Sequence, residues 1–342
     1  MIRKVNIVAL SLALLILSLG ASELRAQAKV GTASAPFLGI AIGPRAAAMG
    51  GAFAALGNDV TALYWNPGGI AMLEKSQLLV SHTQWLVNTD FNWAGFVLQV
   101  GEGNALGLSV TLLDYGEEEV VDEYNQTGTG ARWSANDLAV AASYARRFTD
   151  RFAIGGNAKY IQQKIWNETA SSFAFDAGLL FITQFNDMRL GMSISNFGAD
   201  MKFGGKDLLQ RIDIDPDNSG NNETLVSELR TERWPLPLFF RVGLAYDLLR
   251  AQNTRVTLAA DALRPSDNTG VLNLGTEVEL YNTLFLRGGY KSLFREDSEE
   301  GLTLGAGVKY NMGAAGMLNF DFAYADYGLL DNVKMFSLGL AF

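Results

Sequence analysis

The chain has no cysteine, a single histidine and only seven prolines among its 342 residues. Without cysteine there are no disulfides, no thiolate metal sites, no cysteine nucleophile and no acylated cysteine to anchor a lipoprotein. The one imidazole, His82, directly follows Ser81 in an alternating segment, where neighbours point to opposite faces. The two therefore cannot meet as base and nucleophile, and a satisfied, partly exposed histidine is expected. Positive charge is also scarce: Lys and Arg number 27 against 36 Asp and Glu, a net charge of −9. A basic patch able to neutralise phosphates is missing, which excludes a nucleic-acid partner. No glycine-rich loop follows a strand and opens a helix, so a nucleotide site is not supported either. Nothing here calls for a cofactor, a metal or a catalytic role.

Long apolar runs are missing too. A helical membrane protein needs several stretches of roughly 20 apolar residues, and only the extreme N-terminus offers one. That stretch reads as a secretory signal peptide spanning 1–28: Arg3 and Lys4 give the charged start, Ile7 to Leu19 the apolar centre, and Ala26-Gln27-Ala28 the small residues of a cleavage site. The mature chain is expected to begin near Lys29 and to leave the cytoplasm.

What the chain has in abundance is alternation. In the final segment Phe336, Leu338, Leu340 and Phe342 share one face, while Ser337, Gly339 and Ala341 share the other. Leu318, Phe320, Phe322 and Tyr324 likewise oppose Asn319, Asp321, Ala323 and Ala325, and Phe240, Val242, Leu244 and Tyr246 oppose Arg241, Gly243, Ala245 and Asp247. About fourteen such segments follow Lys75, each with one apolar and one small or polar face. A soluble sandwich alternates as well. Here the second face carries Gly, Ala, Ser, Asp and Lys, which suits a wet or plugged lumen better than a solvated surface. The predicted fold is therefore all-β, a transmembrane antiparallel barrel over 75–342 lying in outer-membrane lipid.

Tight connections such as Thr149-Asp150, Phe185-Asn186-Asp187 and Tyr281-Asn282 alternate with long polar ones, notably Tyr115–Arg132 and Gly198–Pro235. The former fit periplasmic turns and the latter extracellular loops. Asp213, Asp215 and Asp217 sit at calcium-loop spacing, but the glycine and glutamate that would complete such a loop are missing. Solvated loops account for them and for the Glu117–Glu119 and Asp297–Glu300 clusters. Lumen-facing Arg241, Asp247, Arg287, Lys291, Asp321 and Asp176 are expected to hold an internal plug or to line water, since charges there avoid lipid. Trp133, Trp166, Trp234, Leu236 and Phe239 are candidates either for an interfacial girdle or for an apolar pocket.

The segment 29–74 differs in kind. Gly43 to Phe53 is crowded with Gly and Ala and has no barrel alternation. Thr61–Tyr64 can form one helical turn capped by Asn58 or Asp59, and Asn66-Pro67-Gly68 reads as a sharp turn. A short, partly helical plug inside the barrel is the expected placement. The run Pro44-Arg45, Met49-Gly50-Gly51, Asn58-Asp59 and Trp65-Asn66-Pro67-Gly68 resembles the N-terminal region of the PorV/PorQ family, within the FadL-like superfamily of fourteen-stranded barrels. Asn66-Pro67-Gly68-Gly69 stands where Asn-Pro-Ala-Gly is common in that superfamily. The terminal alternating strand with Phe336, Leu338, Leu340 and Phe342 looks like the signal read by the barrel-assembly machinery.

The resemblance implies two readings. In one, the protein is a non-enzymatic component of type IX secretion, working with cargo that carries C-terminal sorting domains and with secretion subunits. In the other, it is a FadL-like transporter of fatty acids or other hydrophobic small molecules. Both place it in the outer membrane, and neither is excluded by the residues alone.

Overall fold

The computed structural model describes residues 29–342 apart from 216, 219–223 and 296–297. The expected signal peptide, together with Gly220, Asn221, Asn222 and Asp297 of the acidic loops, lies outside the described residues. Fourteen antiparallel strands close into a barrel. They are β1 (Gln77–Gln84), β2 (Asp90–Gln99), β3 (Asn104–Glu119), β4 (Arg132–Thr149), β5 (Phe152–Ile165), β6 (Glu168–Ile182) and β7 (Arg189–Gly198). The second half comprises β8 (Phe239–Arg250), β9 (Thr254–Pro265), β10 (Val271–Leu280), β11 (Leu284–Leu293), β12 (Leu302–Asn311), β13 (Met317–Asp326) and β14 (Asn332–Ala341).

Every strand pairs with its neighbours in sequence, and the ring closes where β14 pairs with β1, Leu340 opposite Leu78 and Phe336 opposite His82. Closure gives each of these strands a partner on both sides, which is what lets a sheet exist in lipid. No helix among the described residues is long and apolar enough to cross a membrane, so the strands do the spanning.

The alternation read from the sequence sets which side chains go in. On β14, Val333, Met335 and Ser337 are buried while Phe336 and Leu338 are exposed on the outside. On β3, Ala105, Ser109 and Thr111 are buried while Leu106, Leu108 and Val110 form outer wall. The outer face is an apolar band suited to lipid, and the inner face is small or polar.

Connections differ by end. At one end lie tight turns, including Asn186-Asp187 and Tyr281-Asn282, in which both central residues have positive φ. That geometry matches the right-handed twist of a hairpin, and Asn and Asp tolerate it. At the other end lie the long loops. The rim there is slanted, because β3 to β6 run 16, 18, 14 and 15 residues while β1 has eight. At roughly 3.3 Å per residue, the tall strands outrun β1 by about 20 to 33 Å along the strand direction.

The loop between β7 and β8 does not simply float. It adds Gly204–Gly205 to β6, forms a small ladder between Leu209–Ile212 and Leu225–Glu228, and bridges Met201 to Trp234. Met201 and Leu236 are buried, so its base folds inward over the lumen. In the acidic stretch of this loop, Asp213 Oδ1 accepts from the Asp215 amide at 3.0 Å. Among the described residues, no three acidic or histidine side chains gather closely enough to hold a metal ion.

Candidate functional site

The lumen is occupied by residues 35–73, and the occupation is dense. Phe37, Ile42, Met49, Phe53, Leu56, Leu63, Trp65 and Ile70 are all buried. The segment contains two short helices, α1 (Pro44–Ala48) and α2 (Ala62–Trp65), and two 3-10 turns, Pro36–Gly39 and Pro67–Met72. Pro44 opens α1, a position where its missing amide costs nothing. Asp59 Oδ1 accepts from the Thr61 amide at 2.8 Å, a turn just ahead of α2, while the helix's own N-cap position is Thr61 and not the expected Asn58 or Asp59. Asn66 Oδ1 accepts from the Gly68 amide at 3.2 Å, which sets the sharp turn.

One side of the segment is held by charge. Arg45 grips Glu277 on β10 with two bonds, Nε to Oε2 at 2.8 Å and Nη2 to Oε1 at 2.7 Å. Its Nη1 reaches Asp59 at 3.0 Å and Asn58 at 2.9 Å within the segment. Glu277 also accepts from Arg287 on β11 at 2.7 Å, and Arg287 reaches Asp321 on β13 at 2.5 Å. The result is a line of alternating charge, Asp59, Arg45, Glu277, Arg287, Asp321, running from segment to wall. Bidentate geometry and mutual pairing are what make such burial tolerable. Beside it, Asp261 Oδ2 on β9 accepts from the amides of Phe53 and Ala54 at 2.9 and 2.7 Å. Thr303 on β12 donates to Ala48 O and accepts from the Gly50 amide, both at 3.0 Å.

The other side is held by neutral groups. Asn66 Nδ2 donates to Ala54 O at 2.7 Å and to Leu179 O of β6 at 2.8 Å. Asn157 on β5 donates to Leu63 O at 2.7 Å, and Ser193 on β7 donates to Trp65 O at 2.9 Å. Here the wall is lined by glycine and alanine so that backbone can meet backbone. A methyl group at Gly191 would collide with Ala54 O, and one at Gly155 with Pro67 O. Near the long-loop end, Arg241 on β8 lies over the rings of Tyr64, Trp65 and Phe239 at 5.2, 5.4 and 5.1 Å. Gln163 on β5 accepts from the Ala35 amide at 2.8 Å, and the Ser34 amide donates to Pro235 O of the long loop at 2.8 Å.

The structure thus brings Pro44, Arg45, Met49, Gly50, Gly51, Asn58, Asp59, Trp65, Asn66, Pro67 and Gly68 into one luminal body. Gly50 and Gly51 both have positive φ, and Gly50 lies where a side chain would strike the carbonyls of Leu274 and Tyr290. The terminal residues lie elsewhere. Phe336, Leu338 and Phe342 face outward, Leu340 is half-buried, and Phe342 stacks on Phe96 at 6.5 Å. The lumen-facing charges Asp176, Arg241, Asp247, Arg287 and Asp321 all point inward and are buried, with Lys291 half-buried against Glu300 at 2.6 Å.

Sequence reading missed Glu277, Asp261, Asn157, Ser193 and Thr303 as holders of the segment. Glu277 and Asp261 stand at inward positions of alternating strands, so the rule that marked Arg287 and Asp321 could have marked them. Of the candidates for a girdle or an apolar pocket, Leu236 and Phe239 are buried inside the barrel, and Phe239 meets Gly39. Trp166 and Trp234 are exposed. Ser81 points inward and His82 outward, so the two stand on opposite sides of the wall.

Solved structures with the same architecture include a "CymD monoaromatic hydrocarbon channel", with TM-score 0.58, 13% identity, 88% of this chain covered and 97% of that one. The Pseudomonas putida toluene transporter TodX gives 0.55 at 12% identity, covering 88% and 98%. A Pseudomonas aeruginosa FadL homologue gives 0.51 at 13% identity, covering 87% and 96%. At such identities the likeness establishes a shared fold. No curated protein sequence matches the chain. A family model described as "Type IX secretion system protein PorV" matches residues 23–207, more than half of the sequence, taking in the luminal segment and β1 to β7. The chain is an outer-membrane β-barrel that belongs to the PorV family of type IX secretion system proteins.

Proposed function

We propose that this protein serves type IX secretion without chemistry of its own, as a barrel closed by its N-terminal segment whose long-loop end receives exported proteins and secretion subunits. The segment 29–74 is the plug, 75–342 the barrel, and residues 1–28 are removed after export. The long loops face outward and the tight turns face the periplasm, as in other barrels of this type. The observation that carries this reading is the filled lumen. Residues 35–73 are tied to strands on both sides by buried ion pairs and hydrogen bonds, and the long loop folds over them. A body held this way supports a rigid platform better than a passage. Cargo then contacts the outer surface and does not cross this lumen.

The test is purification from native outer membranes in mild detergent, followed by mass spectrometry of proteins and small lipids. Secreted proteins sharing a C-terminal sorting domain, or secretion subunits, are expected to come along. Stoichiometric fatty acids or other apolar molecules with no protein partner would instead make it a transporter of hydrophobic compounds.

A further inference from the structure

A polar pair is set into the lipid-facing wall. His82 on β1 and Asn92 on β2 are cross-strand partners, both pointing outward, with His82 Nδ1 and Asn92 Oδ1 at 2.8 Å. Their neighbours in the same outward row are Phe336 and Phe322 on one side and Leu112 and Leu138 on the other. Polar groups facing hydrocarbon are costly unless partnered. With Asn92 Oδ1 as acceptor, Nδ1 of the imidazole carries the proton. That leaves His82 Nε2 as an acceptor and the two Asn92 Nδ2 hydrogens as donors on the outward face of the two strands. Asp90 lies 3.8 Å from Nε2, beyond hydrogen-bond reach.

The wall beneath the pair is hollowed. Ala94 lies one outward position from Asn92, and the larger Val110, Phe336 and Leu338 rise around it, leaving a depression of about 500 Å³. One outward position beyond Phe336, towards the long-loop end, is Lys334, exposed and opposite Gln84. From the membrane interior towards the rim, the order is therefore apolar hollow, paired donor and acceptor, then a row in which Lys334 and Asp90 flank Gln84.

We propose that this surface seats an outer-leaflet lipid whose acyl chain bears a hydroxyl group. The chain lies over Ala94, the hydroxyl donates to His82 Nε2 and accepts from Asn92 Nδ2, and the lipid phosphate meets Lys334. A hydroxyl is the small group that is donor and acceptor at once, so it satisfies both halves of the pair; an unsubstituted chain satisfies neither. The inference uses the outward orientation of the long loops and is independent of any role in export.

The test places the full-length protein in nanodiscs of phosphatidylethanolamine and phosphatidylglycerol. These are doped either with lipid A carrying 3-hydroxyacyl chains or with a synthetic lipid A lacking those hydroxyls. Native mass spectrometry then counts lipid A retained per barrel after detergent exchange. Two extra hydrogen bonds predict about a tenfold preference for the hydroxylated lipid. His82→Leu with Asn92→Leu is expected to abolish the preference, and leucine suits a lipid-facing position, so the barrel should still fold. Ala94→Phe, which fills the hollow and spares the pair, is expected to lower retention of both lipids. Equal retention of the two lipids by the wild type would overturn the proposal, as would a preference that survives the double variant. So would a photo-crosslinker at position 94 that captures another protein in place of lipid.

Discussion

The two sides of the lumen hold the same segment by different physics. Towards β9 to β13, the contacts are charged: Arg45 to Glu277, Glu277 to Arg287, Arg287 to Asp321, and Asp261 to two backbone amides. Towards β5 to β7, they are neutral: Asn66, Asn157 and Ser193 exchange bonds with carbonyls across a wall of glycine and alanine. The Lys159–Asp176 ion pair on that side lies within the wall, and Asp176 accepts from Asn157, which in turn donates to Leu63 O of the segment. A charged seat is specific and brittle, because deleting one member strands another in low dielectric. A close-packed neutral seat spreads its contribution over many small contacts, and its weak points are steric.

The sharpest way to break that comparison is at its most connected acid. Glu277 accepts from two arginines and is 2% exposed. Glu277→Ala leaves Arg45 and Arg287 without their shared anion, and losing one member of a buried ionic group costs about 3–5 kcal/mol. The urea midpoint of the reconstituted barrel should fall accordingly. Glu277→Gln, which keeps shape and acceptor capacity at one oxygen, should fall less. If the alanine variant unfolds at the wild-type midpoint, the charged side does not hold the segment.

Part of this was legible in the residues and part was not. Period-two alternation marks a strand and its faces without any partner, so the barrel, its strand number and the inward charges Arg241, Arg287 and Asp321 could be read directly. Phe342 and its outward neighbours could be read for the same reason. The seat could not, because it is written in groups that carry no local signal. Leu179 O and Trp65 O are backbone carbonyls, and what makes them partners of Asn66 and Ser193 is the register between a segment and strands more than a hundred residues away. Gly191 and Gly155 were visible as small residues on an inner face. That they mark contacts with the segment, and not a wet lumen, depends on which atoms approach them.

Steric substitution tests the neutral side where it should be weakest. A side chain at Gly191 meets Ala54 O and the Ala55 Cα, and these are backbone atoms that cannot rotate away. Gly191→Val should cost about 1–3 kcal/mol, towards the upper end, and should loosen the segment. In planar bilayers the wild type is expected to pass little ion current and the variant to show open events. A variant as silent and as stable as the wild type would mean that the segment tolerates displacement on this side.

A gentler probe of the same side removes hydrogen bonds without adding bulk. Asn66→Ala leaves Ala54 O and Leu179 O without their donor and frees the Gly68 amide. Stranded buried groups of this kind cost about 1–3 kcal/mol, and the expected loss in urea midpoint lies below that of Glu277→Ala. Equal losses at the two positions would erase the distinction between the charged seat and the neutral one.

The smallest effect is expected outside the lumen, in the tight turn between β6 and β7. Asp187 there is hydrogen-bonded by Arg250 at 3.2 Å and by Arg151 at 3.1 Å, and these two guanidinium groups hold its carboxyl below the ordinary aspartate value. A carboxyl depressed in the folded state stabilises above its unfolded pKa, and that contribution is lost as pH falls through the folded pKa. Stability tied to Asp187 should therefore be flat at neutral pH and decline only once the medium is more acidic than the ordinary value of 3.8. The group is solvent-exposed, so water and salt screen the interaction and the decline should shrink further in high salt. Unfolding midpoints of wild type and Asp187→Asn, measured from pH 7 downwards, should converge at the acid end. Parallel curves over the whole range would show that this exposed cluster contributes nothing, in contrast with the buried line of charge a few strands away.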